Sequence, residues 1–321
     1  MISGFPEIVA MPRVKGVALS LALTISLGCG CTKNQQPAPA FDGERAFGYL
    51  EEQVAFGPRV PGSRPWSACR TYYCDFFAGL GLAVDSQVFD FLDPYSNRRL
   101  PLVNLIVPVS GRDADADRIV LMAHWDSRPR TDFASDPQLR DHPIDGANDG
   151  ASGVAVLMEL ARLLAQQPPP CHVDLVLADG EDWGESGDLD FYLLGSREFA
   201  RRGIRDTYRF GIVIDMIGDK DQQIYREGYS ERYHQELNDM IWSTAARLGI
   251  TTFRDSVKHL IHDDHLSLCS GGVPTVDIID FNYPYWHTEF DSPDKCSAES
   301  LANVGRILTE IVYDPELWPK N

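Results

Sequence analysis

The sequence predicts a three-layer α/β/α domain built on a mostly parallel central sheet. Three observations carry that expectation. Short apolar runs of the kind that form buried strands recur along the chain, at Arg118–Ala123, Val173–Ala178, Phe210–Ile214 and Thr275–Ile279. Segments with apolar residues at helical spacing lie between them, and alternating strands and helices are the mark of α/β architecture. Acidic residues and histidines then stand at or just after these runs, or in a glycine-rich loop: His124, Asp149, Glu181 with Asp182, Asp215 and His287. In an open α/β sheet the carboxyl ends of parallel strands lie along one edge, where ligands bind. Residues far apart in sequence are therefore expected to converge there.

The elements follow in order. Residues 1–31 read as a leader. Arg13 and Lys15 precede the apolar run Gly16–Leu27, which is short for a membrane span and suits a signal segment. Ser26-Leu27-Gly28-Cys29 is an imperfect lipoprotein processing site, with Cys31 two residues on, and an ordinary cleaved signal is the alternative. Export to a bacterial envelope, periplasmic or lipid-anchored, is expected on either reading. Residues 32–41, rich in Pro and Gln, read as a flexible tether. Residues 42–321 are expected to form a single catalytic domain.

Within that domain Phe41–Glu52 reads as a helix, 55–63 as a Gly/Pro-marked loop and Pro65–Phe77 as a helix stopped by Gly79 and Gly81. Val84–Phe91 and Val103–Val109 are strand-like. After the loop DGANDGASG, residues 152–166 carry a wide apolar stripe behind Ser152 as candidate cap, and Pro168-Pro169-Pro170 ends them. Helices are further expected at Glu231–Leu248, capped by Ser230, and at Ala298–Val312, behind Ser297. The segments 219–229 and Tyr283–Tyr285 are expected to be surface excursions over the site.

Composition narrows the function. The chain has 321 residues, 44% of them hydrophobic, which supports a proper core. A net charge of −18 with no basic stripe argues against a nucleic-acid partner. Five cysteines remain beyond the leader, and none stands in the paired C-x-x-C spacing of a structural zinc site. They read as buried small hydrophobes.

Taken singly, each titratable residue has an ordinary explanation. Asp149 could be a solvated loop acid, Glu181-Asp182 a charged turn and Asp263-Asp264-His265 a capped turn. Histidine plus carboxylates without a thiolate in the group is the donor set of a catalytic zinc or a similar divalent ion. Neighbouring side chains diverge, so one of Glu181 and Asp182 can hold a metal while the other faces substrate. Trp286, beside His287, can wall a pocket.

The ordered set His124-Trp125-Asp126-Ser127, Asn148-Asp149-Gly150, Gly180-Glu181-Asp182, Gly195-Ser196-Arg197, Asp215-Met216-Ile217-Gly218, Asp263-Asp264-His265, Gly272-Val273-Pro274 and Trp286-His287-Thr288 resembles the M28 metallopeptidase superfamily over residues 45–312. It is most similar to the glutaminyl-peptide cyclotransferase branch, because of Asp-Asp-His and Trp-His-Thr. The resemblance implies one zinc held by Asp149, Asp182 and His287, with Glu181 as general acid/base. It implies that Asp215 and Asp263 form a carboxylate network beside Glu181, and that Trp286 lines the substrate pocket. The substrates it implies are peptides or proteins with N-terminal Gln, cyclised to pyroglutamate with loss of ammonia. A membrane would enter only through a lipid anchor.

Three departures qualify the match. Asp182 stands where many relatives have Glu, Trp183 stands a few places before the pocket tryptophan of the animal enzymes, and their cysteine pair is missing. The same residues would also serve a two-zinc aminopeptidase. In that reading Asp149 bridges, His124 and Asp215 complete a second metal site, and Glu181 activates water. A third reading, a non-catalytic module of the same fold, expects lost ligands, and every ligand is present.

Overall fold

In a computed structural model the strands assemble as the periodicity predicts, and residues 37–320 are described. The sheet has six strands: β1 Asp85–Leu92, β2 Arg99–Val109, β3 Arg118–His124, β4 His172–Ala178, β5 Gly211–Asp215 and β8 Thr275–Ile279. Their order is β1-β2-β4-β3-β5-β8. β4, β3, β5 and β8 run parallel, while β1 and β2 add an antiparallel flank. A separate short pair joins β6 Ile224–Arg226 to β7 Phe253–Val257.

Alternation along the strands builds the layers, because successive side chains point to opposite faces. Ile119, Leu121 and Ala123 of β3 enter the larger core with α1 Gly43–Val54, α2 Arg64–Gly79, α3 Ala151–Gln166, α5 Gly228–Arg247 and α7 Ala298–Tyr313. Val120 and Met122 face the other way, onto Phe199 of α4 Leu194–Ala200 and Leu268 of α6 Asp264–Ser270. The four parallel strands therefore end on one edge with helices on both faces.

Several local expectations are corrected. The leader lies outside the described residues. The described part of the expected tether is docked: Ala38 and Phe41 pack on the larger core, and Gln167 Nε2 donates to Pro37 O at 3.1 Å. Gly305 makes room for Phe41, since a Cβ there would lie 2.3 Å from the ring. Ser152 does not cap α3; Gly150 holds that position, and Ser152 Oγ accepts from Ile217 N at 3.2 Å instead. α5 begins at Gly228 because Glu227, not Ser230, caps it through Tyr229 N and Ser230 N. The segment 219–229 is no surface excursion, since Asp219, Gln222, Ile224, Arg226 and Glu227 are buried in it. Tyr283 is buried too, its hydroxyl donating to Asp291 Oδ1 at 2.7 Å. The five cysteines are unpaired, and Cys69, Cys171 and Cys296 are buried.

Candidate metal centre and active site

β3 ends at His124 and β5 at Asp215, and Glu181-Asp182 follow β4 after the turn Asp179-Gly180. Asp149 lies in the loop that opens α3, and His287 in the loop after β8. The backbone is specialised at this edge. Met216 and His287 both lie in the left-handed region, at φ 46° and 55°, which is uncommon for side chains of this size. Gly150 is demanded by space, because a Cβ would lie 2.4 Å from His124 Nε2.

Two groups of potential ligand atoms form here and share Asp149. In each, the atoms lie within 4.8 Å of one another. In the first, His124 Nε2 is 3.0 Å from Asp149 Oδ1 and 3.2 Å from Asp215 Oδ1. In the second, His287 Nε2 is 3.8 Å from Asp149 Oδ2 and 3.4 Å from Asp182 Oδ1. Asp149 Oδ2 and Asp182 Oδ2 are buried with no hydrogen-bond partner. A buried carboxylate oxygen without a partner is costly. Two of them converging with an imidazole nitrogen fit a divalent cation.

The electrostatics follow from the same packing. Burial pushes Asp149 above the usual carboxylate range, and the Asp182 charge adds to it. Burial acts on Asp182 in the same direction, but Arg128 and His287 outweigh it and hold that carboxyl below its usual range. Burial disfavours the charged form of His287, yet Asp182 and Asp132 raise it to about 9. Enclosure of the Glu181 carboxyl and the adjacent Asp182 charge push it well above the ordinary glutamate value.

The second group opens on a cavity of about 230 Å³ that Glu181, Asp215 and Asp263 also line. Its apolar wall includes Met216, Ile279, Phe281 and Trp286. Trp286 stacks on His287 with ring centroids 3.8 Å apart and leans on Phe281 at 4.9 Å. Asp263 caps α6 through its Oδ1, and its Oδ2 has no partner. All the residues singled out in the sequence thus come together, with His124 behind the cavity rather than in its lining. Trp183 takes no part: it is buried and donates from Nε1 to Asp93 at 3.0 Å.

Sequence reasoning missed the supports. Asp126 accepts from Glu181 N at 3.1 Å and Asp182 N at 3.3 Å, and so fixes the turn after β4. Asp291 accepts from Asn148 N and Asp149 N. Glu227 accepts from Ile261 N, which ties the cavity-lining loop at 260–262 to the start of α5. His265 and Asp277 make a further buried group with the cavity-lining Asp263, and His265 Nε2 lies 3.3 Å from Glu227.

A buried set of histidines and carboxylates at the carboxyl edge of a parallel sheet, opening on an aromatic-walled cavity, defines a metal-dependent α/β enzyme. A model of peptidase family M28 matches residues 104–312, and the chain belongs to that family. It is 35% identical to the glutaminyl cyclase of Bacteroides thetaiotaomicron, a solved structure with a TM-score of 0.81, over 87% of this chain and 99% of that one. It is 36% identical, with a TM-score of 0.82 and the same coverage, to a structure described as a leucine aminopeptidase precursor from the same organism. A glutaminyl-peptide cyclotransferase of Gloydius blomhoffii is 27% identical over 80% of this chain and 77% of its own length.

Proposed function

We propose that the protein is a zinc-dependent glutaminyl-peptide cyclotransferase that converts N-terminal glutamine of peptides or proteins to pyroglutamate and releases ammonia. The observation that carries this reading is the asymmetry around Asp149. Asp149, Asp182 and His287 line the cavity, with the unpartnered oxygens of both carboxylates, whereas His124 lies behind it with Nε2 in hydrogen-bond range of Asp149 and Asp215. That arrangement supports one ion facing substrate.

Asp149, Asp182 and His287 would hold the zinc, which when bound supplies Lewis-acid polarisation of the glutamine γ-carbonyl. The substrate α-amine attacks the γ-carbon, and the bond from that carbon to the amide nitrogen breaks. Glu181 takes the proton lost by the amine and delivers it to the departing ammonia. Burial and the adjacent Asp182 charge raise its pKa, which favours a carboxyl that must hold the proton between accepting and donating it. Asp215 and Asp263 surround it with further carboxylates. Trp286 and Phe281 wall the cavity and press the glutamine side chain back toward its own amine, which makes the intramolecular attack effective.

One observation favours the two-zinc aminopeptidase: the two oxygens of Asp149 face the two histidines separately, as a bridging ligand would. Purified protein incubated in parallel with Gln-peptides and with Leu-anilide decides between the readings. Ammonia release without anilide cleavage is expected. Anilide cleavage with two zinc ions per chain would replace the cyclase reading with the aminopeptidase. Export, with lipidation at Cys29 or Cys31, belongs to the same proposal and is tested by fatty-acid labelling of the full chain.

A further inference from the structure

Arg128, Asp132, His287 and Asp182 form a closed ring of charged side chains. Arg128 Nη1 donates to Asp182 Oδ1 at 2.6 Å, and Arg128 Nε donates to Asp132 Oδ2. Asp132 Oδ2 lies 3.0 Å from His287 Nδ1, and His287 Nε2 returns to Asp182 Oδ1 at 3.4 Å. Arg128 is fully buried, and two of its other N–H groups donate to Asp182 O at 3.1 Å and Gly184 O at 2.9 Å. The ring of Tyr192 covers the guanidinium at 5.3 Å.

A fully buried guanidinium beside a carboxylate meant for a cation needs a reason, since the two cations compete for it. The geometry supplies one. Arg128 occupies Asp182 Oδ1 and leaves Oδ2 without a partner. Asp132 occupies His287 Nδ1 and leaves Nε2 toward the carboxylates of Asp149 and Asp182. With a divalent ion in place, the carboxylates of Asp149, Asp182 and Asp132 are balanced by that ion and Arg128 together. Without Arg128 the buried centre would carry an uncompensated negative charge.

We propose that Asp132 and Arg128 are positioning residues of the metal centre. Asp132 fixes His287 with Nδ1 protonated and Nε2 presented to the ion. Arg128 locks Asp132 and Asp182 in register and balances their charge. Partners of this kind orient ligating histidines and set metal affinity. The arrangement also accounts for the short arm of Asp182. Arg128 grips both its side chain and its main chain, so the carboxylate is placed by the guanidinium and not by side-chain length alone.

This inference rests on the metal assignment above, not on which reaction follows. The test is competition for zinc between a calibrated chelator and the apo-protein, in wild type, Asp132→Asn and His287→Ala. Asp132→Asn keeps the shape and removes the charge. It is expected to weaken zinc binding about 10–100-fold, with the apo-protein melting within ~3 °C of wild type. Zinc affinity within two-fold of wild type in Asp132→Asn, while His287→Ala loses zinc, would overturn the positioning role and leave the metal assignment standing. Zinc retained in His287→Ala would overturn the metal assignment itself. If Asp132→Asn does not fold, Asp132→Glu serves in its place. Its carboxylate is displaced by one methylene and should still weaken zinc several-fold; wild-type affinity there would also overturn the proposal.

Discussion

The two carboxylate oxygens of Asp149 face different surroundings. On the Oδ1 side, His124 is held between acids, with Asp149 and Asp215 on Nε2 and Asp126 3.5 Å from Nδ1. On the Oδ2 side, His287 has its Nδ1 occupied by Asp132, and two oxygens in the same group have no partner. Both groups have the same residue types and similar burial, so composition does not separate them. What separates them is that His287 lines the cavity while His124 does not, and that the unpartnered carboxylate oxygens, on Asp149 and Asp182, lie in the His287 group. On the one-ion proposal the His124 side is scaffold, and the His287 side, which holds both unpartnered oxygens, is the binding site.

The largest expected effect breaks the open side. His287→Ala removes one of the three proposed ligands, and because the buried Asp149 and Asp182 cannot together replace it, zinc content should fall to near zero and activity with it. Zinc per chain measured by emission spectrometry after gel filtration checks this. Glu181→Gln comes next. It keeps the shape and removes the titratable group, so turnover should fall about 100-fold or more, the usual worth of general acid/base catalysis being ~10²–10⁴. Zinc should stay bound. Zinc lost in proportion to activity would make Glu181 a ligand and redraw the open side.

The contrast also marks what could be read from sequence. His124, Asp149, Asp182, Asp215 and His287 were legible because strand ends and a helix-opening loop place them by topology alone. Their division into an open and a closed side was not, since it depends on atoms that meet only after folding. Arg128 and Asp132 sit four residues apart in a loop without periodicity. Their role appears only when His287, far along the chain, folds onto them. The short elements α4, β6 and β7 were missed for a related reason: three to seven residues carry too little pattern to compete with turn signals. The tether was misread at its end because Phe41 looks like a lone apolar residue until Gly305 makes room for it.

Glu227 extends the comparison to the glutamates. Glu181 is pushed up by burial and charge, whereas Glu227, despite burial, is pulled down to about 2 by His265 and by donors from Ser230 and Tyr229. A folded pKa below the unfolded value of 4.5 means that ionised Glu227 stabilises the fold above that pH, and the contribution disappears as pH falls toward 2. Glu227→Gln should therefore lower the melting temperature at neutral pH, and the gap to wild type should close between about pH 4.5 and pH 2. A gap independent of pH would show that Glu227 acts through its hydrogen bonds alone.

The smallest effect on metal content is expected on the closed side. A cyclotransferase uses the substrate amine as its nucleophile and gains nothing from a second ion that would bind that amine. If His124 is scaffold, His124→Ala should leave one zinc per chain, because Asp149, Asp182 and His287 remain. It should instead lower stability, by about 3–5 kcal/mol, because Asp126, Asp149 and Asp215 lose the partner buried among them. Zinc stoichiometry and urea unfolding of the same preparation read the two effects independently. Loss of one of two zinc ions in His124→Ala, with anilide cleavage lost in step, would make both sides of Asp149 metal sites and favour the aminopeptidase.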